Sequence, residues 1–258
     1  MVVTLALVTG ATSGIGLELC RLLASKKISL IITGRDQDKL GGLVEELSRQ
    51  VLVTALAADL ATETGRKKIV LSIRNNAPDL VINNAGFGQY GEVLEQDFDP
   101  QLRMVDVNAK AVLELTLEAA QALRQKNRQG VILNVSSVAS FMPFPLLATY
   151  AATKAFVTSL SISLDFEFAP HGIRVLASCP GVVETNFRER AGGIPSTFEM
   201  SMSVAFAAQE IWRQIEKKQR VRTFDWKMRV AVFLVKHFVP TSWVARLLHR
   251  SIEHRLQK

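Results

Sequence analysis

Cysteine is scarce: two residues in 258, Cys20 and Cys179, exclude a disulfide framework, and their separation matches no metal-binding spacing. Two free thiols in a reducing, cytoplasmic setting are the expectation. Histidine is nearly as rare. His171, His237, His249 and His254 form neither a helical zinc pair nor a cluster with the cysteines, so no metal is expected. Long hydrophobic runs are missing too. Met228–Val239 is apolar but is interrupted by Arg229, Lys236 and His237, and it falls short of the about twenty residues that a spanning helix requires. The apolar stretch Val2–Val8 has no basic flank and runs straight into a glycine turn, so it reads as a strand rather than an export signal.

Nor does the chain have the composition of disorder. With 48% apolar and 21% charged residues it has the makings of one globular α/β domain with a large core. The net charge of +7 is not spread evenly. Residues 1–212 hold 19 Lys/Arg against 21 Asp/Glu, a balance of −2, whereas residues 213–258 hold 12 against 3, a balance of +9. A basic surface made to coat nucleic acid is therefore excluded, and no nucleic-acid partner is expected. The same contrast divides the chain into a near-neutral part, 1–212, and a basic amphipathic extension of the same domain, 213–258.

What is present is an alternation. Short, continuously apolar runs (Thr4–Thr9, Ser29–Thr33, Val51–Ala57, Leu80–Asn83, Val131–Val135, Arg174–Ser178) have the pattern of parallel strands covered on both faces. Between them lie amphipathic segments at Ile15–Ser25, Asp38–Gln50, Thr62–Asn75, Pro100–Arg128 and Thr149–Ala169. Repeated strand–helix–strand units predict right-handed crossovers and an α/β, doubly wound parallel sheet of Rossmann type, strand order 3-2-1-4-5-6, flanked by helices. Arg220–Phe224 adds a possible short seventh strand. A helix over Ser203–Lys218 and two basic helices broken at Pro240 follow the loop-like stretch Pro180–Thr197.

Chemistry gathers at the predicted strand ends. The first strand runs into Thr9-Gly10-Ala11-Thr12-Ser13-Gly14-Ile15-Gly16. Gly10 permits a turn that a side chain would block, Gly14 admits close approach of a pyrophosphate, and Gly16 brings the next helix against the sheet with its N–H groups facing the phosphates. A plain tight turn is the bland alternative, and its place between the first strand and a helix favours the dinucleotide. The second strand ends in Arg35 beside Asp36. An arginine there suits the 2′-phosphate of NADP, whereas an acidic residue binds the 2′-hydroxyl of NAD; the reading favours NADP(H) and leaves Asp36 as its competitor. Tyr150 and Lys154 share a helix face, where an ammonium favours the phenolate and lowers a pKa that is ordinarily near 10. On its own this pair is a common accident.

Taken in order, Thr9–Gly16, Asp59, Asn83-Asn84-Ala85-Gly86, Asn108, Ser136-Ser137, Tyr150 with Lys154, and Pro180-Gly181 with Thr185 make the chain resemble the short-chain dehydrogenase/reductase family over about residues 1–190. That resemblance implies that Ser137, thirteen residues before the tyrosine, hydrogen-bonds a substrate carbonyl, and that Tyr150 donates the proton. It implies that Lys154 holds the nicotinamide ribose and depresses the tyrosine's pKa, and that Asn108 holds a water linking the lysine to solvent. For the cofactor it implies a site made of Gly10, Thr12, Ser13, Gly14, Ile15, Gly16, Arg35, Asp59, Leu60, Asn84, Ala85, Gly86, Tyr150, Lys154, Pro180, Gly181, Val183 and Thr185, with Asp59 near the adenine. Two structural alternatives stand beside these roles: one of Asn83 and Asn84 bonds a neighbouring strand, and Asp59 serves as a helix N-cap.

The expected substrate is a small-molecule carbonyl compound, apolar or acyl-like. Its pocket is expected from Phe141–Leu146 and from a lid over Phe187–Phe198, with Arg188 and Arg190 facing solvent. A homo-oligomer, dimer or tetramer, is expected through 100–128 and 149–169. The basic tail is read first as packing on the domain or on a second subunit, next as lying on an anionic membrane surface through 227–258, and last as docking an acidic carrier. A non-catalytic dinucleotide sensor or scaffold is the rival reading, disfavoured because it has no need of Asn108, Ser137, Tyr150 and Lys154 together.

Overall fold

The computed structural model describes residues 2–193 and 201–256, side chains excepted at 236, 237, 255 and 256. Seven strands form one parallel sheet in the order β3-β2-β1-β4-β5-β6-β7: β1 (Leu5–Thr9), β2 (Ser29–Gly34), β3 (Val53–Ala57), β4 (Leu80–Asn83), β5 (Gly130–Val135), β6 (Ile173–Ser178) and β7 (Val221–Arg222). The short seventh strand pairs with Ala177 and Ser178.

Alternate residues of each strand face opposite sides, and in β1, β2, β4, β5 and β6 both sides are covered, while the edge strands β3 and β7 are only partly so. Ala6, Val8, Leu30, Ile32, Leu80, Ile82 and Leu133 meet α1 (Gly14–Ser25) and α8 (Val204–Lys217) through Leu19, Leu23, Ile211 and Ile215. Leu7, Ile31, Val81, Ile132 and Val175 meet α3 (Glu63–Asn76), α5 (Ala111–Gln125) and α6 (Ala148–Phe168) through Ile69, Ile73, Leu115, Leu123 and Leu164. Each such Val, Leu or Ile side chain contributes about 1.5–3 kcal/mol relative to exposure, and a one-residue slip of any strand would exchange the two sets. α2 (Gln37–Leu47) completes the first face with Leu40, Leu43 and Leu47.

Helix starts follow short polar caps. Asp36 accepts from Lys39 N, Thr62 from Gly65 N and Ser203 from Phe206 N. The helix expected over Pro100–Arg128 is unbroken from 98 to 125 but not regular throughout. α4 (Phe98–Val105) passes through a π turn at Asp106–Lys110 before α5 begins. One extra residue in a turn leaves no break in apolar periodicity long enough to be read in the sequence.

The tail forms α9 (Trp226–Phe238) and α10 (Thr241–Leu256), separated at Pro240, after a four-residue α7 (Phe187–Arg190) in the preceding loop. The change of charge at 212/213 is not a structural boundary, because it falls inside α8. Beyond α8 the chain is tied back by ion pairs. Fully buried Asp165 receives Arg174 (2.7 and 2.8 Å) and Arg220 (2.7 Å), while Glu210 binds Arg222 on β7. No helix among the described residues is long and apolar enough to cross a membrane.

Candidate functional site

The strand order reverses between β1 and β4, and in such sheets the ligand crevice is the space beyond the carboxyl ends at that switch point. Gly10 (φ +66°) and Gly14 (φ +53°) both take the left-handed conformation that a side chain would strain. Gly16 is needed for space: a Cβ there would stand 2.2 Å from the Gly10 carbonyl oxygen. Ser13 takes the N-cap position of α1 but makes no side-chain cap bond, so the first amides of the helix point into the turn without an internal acceptor. Such a turn is a cradle for an anion, with the helix dipole behind it.

Asn84 and Thr9 hold the cradle to β4. The Asn84 amide donates to the carbonyls of Thr9 (2.9 Å) and Gly10 (3.2 Å), and the Thr9 hydroxyl accepts from the backbone N–H of Asn84 and Ala85, each at 3.0 Å. Asn84 is therefore the asparagine that bonds a neighbouring strand's backbone, which commits its side chain to the protein. Asn83 instead donates to Asn134 Oδ1 (2.8 Å) and Thr116 Oγ1 (3.2 Å) in the buried sheet.

Further along the crevice, Gly34 brings the end of β2 against Thr12; a Cβ on it would lie 3.0 Å from Thr12 Cγ2. Arg35 follows directly and is exposed. Its competitor Asp36 is engaged, accepting from Lys39 N (3.1 Å) and pairing with Lys39 Nζ (2.8 Å), which holds its carboxyl below the usual range. Asp59 does not cap α3, since Thr62 does. Burial opposes ionisation of Asp59, but the Ala61 N–H (3.0 Å), Arg103 (2.7 Å) and the nearby Arg35 charge together hold its carboxyl below the usual range. Leu60 beside it is buried, its carbonyl taken by Arg66 at 3.1 Å.

At the other end of the crevice stand the polar groups of β5, α6 and the π turn. Asn108 is fully buried and clamps the loop after β4, accepting from Phe87 N (3.1 Å) and donating to Phe87 O (2.8 Å) and Thr153 Oγ1 (3.3 Å). Gly86 lies against it, for a Cβ there would meet Asn108 Oδ1 at 3.0 Å and Lys154 Nζ at 3.3 Å. Lys154 Nζ donates to Val135 O (2.8 Å) and lies 5.6 Å from the centre of the Tyr150 ring. Ser136 turns inward to the Lys154 carbonyl and Thr158, whereas the Ser137 hydroxyl accepts from Ala139 N (3.2 Å) and stands near enough to Tyr150 to act on its phenol.

The electrostatics correct one expectation. Burial pushes the Tyr150 phenol up to about 12, with the Ser137 hydrogen bond pulling the other way, and burial pushes the Lys154 ammonium down to about 8. Without a ligand, desolvation outweighs any lowering of the phenol by the lysine.

Thr185 closes the crevice from above: a Cβ on Gly14 would lie 3.1 Å from its methyl group. Its hydroxyl accepts from Phe187 N (3.2 Å), Val183 forms a bridge with Met202, and the Pro180 carbonyl accepts from Val138 N (3.0 Å) beside Gly181. Phe187 on α7 meets the Tyr150 ring with centroids 5.3 Å apart. The remainder of the expected lid, 194–198, lies outside the described residues.

Two features were missed in the sequence. The glycine-rich loop 86–91 joins the expected walls: Tyr90 N donates to Ala191 O (2.7 Å) and Gly91 N to Leu146 O (2.9 Å). Arg190, expected to face solvent, is exposed but extends to 3.5 Å from Ser13 Oγ at the glycine turn. Three glycines in six residues are a readable signal for the first; nothing in the local sequence marks the second.

The family model for short chain dehydrogenases matches residues 4–192. The chain belongs to this family. Sulfoacetaldehyde reductase 2 from Chromohalobacter salexigens is 34% identical over 197 residues, 73% of this chain and 77% of that protein. Among solved structures, a short-chain dehydrogenase from Sphingobium yanoikuyae in complex with NADPH is 30% identical with a TM-score of 0.83, covering 89% of this chain and 91% of that one. The bulky-bulky ketone specific alcohol dehydrogenase from Comamonas testosteroni is 27% identical with a TM-score of 0.79, covering 90% and 92%. This short-chain dehydrogenase is accordingly an oxidoreductase of a nicotinamide-using family, and the family match ends before α8, α9 and α10.

Proposed function

We propose that the protein reduces an apolar ketone to an alcohol with NADP(H). The observation that carries this reading is the convergence of the Ser137 hydroxyl, the Tyr150 phenol and the Lys154 ammonium at one end of a crevice whose other end is the glycine cradle. When bound, the dinucleotide supplies the hydride. Ser137 and Tyr150 direct two hydroxyl donors at the oxygen on which negative charge develops, and Tyr150 delivers the proton to it. Lys154 holds the nicotinamide ribose and restores the phenol's proton, with Asn108 fixing the π turn and a water on the path to solvent.

The fit of the cofactor rests on the open amides of α1, on Thr12, Ser13 and Ile15 in the turn, and on Arg35. Because Asp36 is held by α2, the exposed Arg35 guanidinium is the group at hand for a 2′-phosphate. Asp59 and Leu60 border the adenine, Ala85 and Gly86 the adenosine ribose, Pro180, Gly181, Val183 and Thr185 the nicotinamide, and Arg190 adds a cation beside the pyrophosphate. Asn84 serves by shaping the turn. The substrate reading follows from the apolar character of Phe141, Met142, Phe144, Pro145, Leu146 and Phe187; the relative specific for bulky ketones gives it a precedent. Self-association is proposed through α4–α6, where Leu102, Val105, Leu117, Phe156 and Phe166 are exposed, and a cytoplasmic setting from two unpaired thiols.

Titration with NADPH and NADH, read by quenching of tryptophan fluorescence, tests the cofactor, and turnover on a panel of bulky ketones tests the reaction. NADPH binding that weakens at least about tenfold in Arg35→Ala while NADH binding holds is the expected result, a loss of one charge-assisted contact. Equal binding of the two cofactors would return the ribose to Asp36. Binding without turnover of any carbonyl compound would favour a sensor.

A further inference from the structure

We infer that α9 and α10 form a docking surface for an anionic lipid membrane, beside the mouth of the substrate pocket. On α9 the inward residues are Met228, Val232 and Val235, all partly buried; Met228 Cε lies 3.8 Å from the position a Gly181 Cβ would take. The outward residues are Trp226 (63% exposed), Val230 (49%), Phe233 (54%), Leu234 (47%) and Phe238 (71%). Their spacing puts them on one side of the helix; at about 100° per residue Lys227 falls just inside one edge, between Leu234 and Phe238, and Arg229 lies beyond the other edge. Phe233 and Phe238 stand edge to face, ring centres 6.1 Å apart, which makes the stripe continuous over its last turn.

α10 extends the surface with a mixed composition. Val244 turns inward and is buried, while Trp243 (67% exposed) and Leu247 (71%) share the outer side with exposed Arg246 and Arg250. A shallow cleft of about 280 Å³ lies between Pro145, expected in the substrate-pocket wall, and Ala245, Arg246, His249 and Arg250. From 226 to 256 the sequence carries six Lys/Arg and a single acidic residue, Glu253.

Charge decides the occupant. An apolar stripe bordered by cations, with tryptophans among them, matches the boundary between acyl chains and anionic headgroups, where apolar side chains enter and arginines stay at phosphate level. A second copy would bring its own cations against these, and like charges face to face oppose assembly. The exposed apolar residues of α4–α6 offer self-association a different face. The docking is independent of the ketone and NADP(H) reading, although a membrane would present apolar substrates beside the pocket.

The test is sedimentation of the full-length protein with vesicles of phosphatidylcholine alone and of equal parts phosphatidylcholine and phosphatidylglycerol, with light scattering on the same samples. Retention on the anionic vesicles only, reduced by raised salt, is the expected result. Lys227→Glu with Arg229→Glu should reduce retention by more than about twentyfold, from about fivefold per basic residue removed. Phe233→Ser with Leu234→Ser should reduce it by at least about tenfold at unchanged net charge. Both pairs are exposed, and an unchanged thermal melt and NADPH titration verify the fold. Equal retention on neutral vesicles, no retention on either, or a dimer that dissociates in the Phe233→Ser/Leu234→Ser variant would overturn the proposal. Failure of NADPH binding with retention intact would touch only the cofactor reading.

Discussion

The two ends of the crevice are built by opposite means. At the β1–α1 turn, specificity resides in the backbone: a single methyl group at Gly16 would stand 2.2 Å from a carbonyl oxygen, and Gly10 is confined by Ala85 at 2.9 Å. Around Tyr150 the site is assembled from side chains of the turn after β5, the π turn, α6 and α7, which come from well-separated parts of the chain. A backbone site tolerates almost no substitution but needs no long-range partners. A side-chain site tolerates neighbours of similar size but depends on every element that carries it. The comparison extends to the surface, where α2 carries Gly41 and Gly42 with nothing within 4 Å of an added Cβ.

The largest expected effect separates chemistry from binding. Tyr150→Phe should lower ketone reduction by about 10²–10⁴-fold while dinucleotide binding persists, measured by single turnover beside a fluorescence titration. Comparable losses of both would mean that the two ends are one structural unit. Gly16→Ala should destabilise the fold by about 1–3 kcal/mol in urea and abolish dinucleotide binding, because the helix must move off the sheet. An unchanged Gly16→Ala protein would refute the claim that backbone space defines this end.

The next effect is a pH dependence with two signs. Lys154 loses its proton near 8 in the folded protein but near 10.5 when unfolded, whereas Tyr150 keeps its proton until about 12. Reduction should therefore fall as pH rises through about 8, as the ammonium disappears while the phenol stays protonated. Over the interval from about 8 to 10.5 the unfolded chain binds more protons at this position, so the contribution of Lys154 to stability rises with pH. A pH–rate profile in parallel with melts, each compared with Lys154→Met, checks both signs. The smallest effect is the control. Gly42→Ala, in open space within α2, should stabilise the protein by about 0.5–1 kcal/mol through the unfolded state, with dinucleotide binding unchanged.

The legibility of the chain follows the same division. The parallel sheet could be read because strands buried on both faces must be continuously apolar, and β4 and β5 are buried throughout. The glycine turn could be read because few residues besides glycine adopt φ +66° and φ +53° at Gly10 and Gly14. The proximity of Tyr150 to Lys154 follows from helical spacing alone. Other features needed three dimensions. That Asp36 is held by α2 and leaves Arg35 exposed depends on a capping bond. That Asn84 serves β1 while Asn83 serves the sheet interior depends on which way each faces. The approach of Arg190 to Ser13 and of Pro145 to α10 joins residues far apart in sequence. The upward shift of Tyr150 depends on the neighbours, Phe187 among them, that only the fold brings around its partly buried ring. Periodicity and steric necessity act between neighbours and are written locally in the chain. Desolvation, pairing and surface continuity are set by whatever folding brings alongside, and the identity of a residue does not carry them.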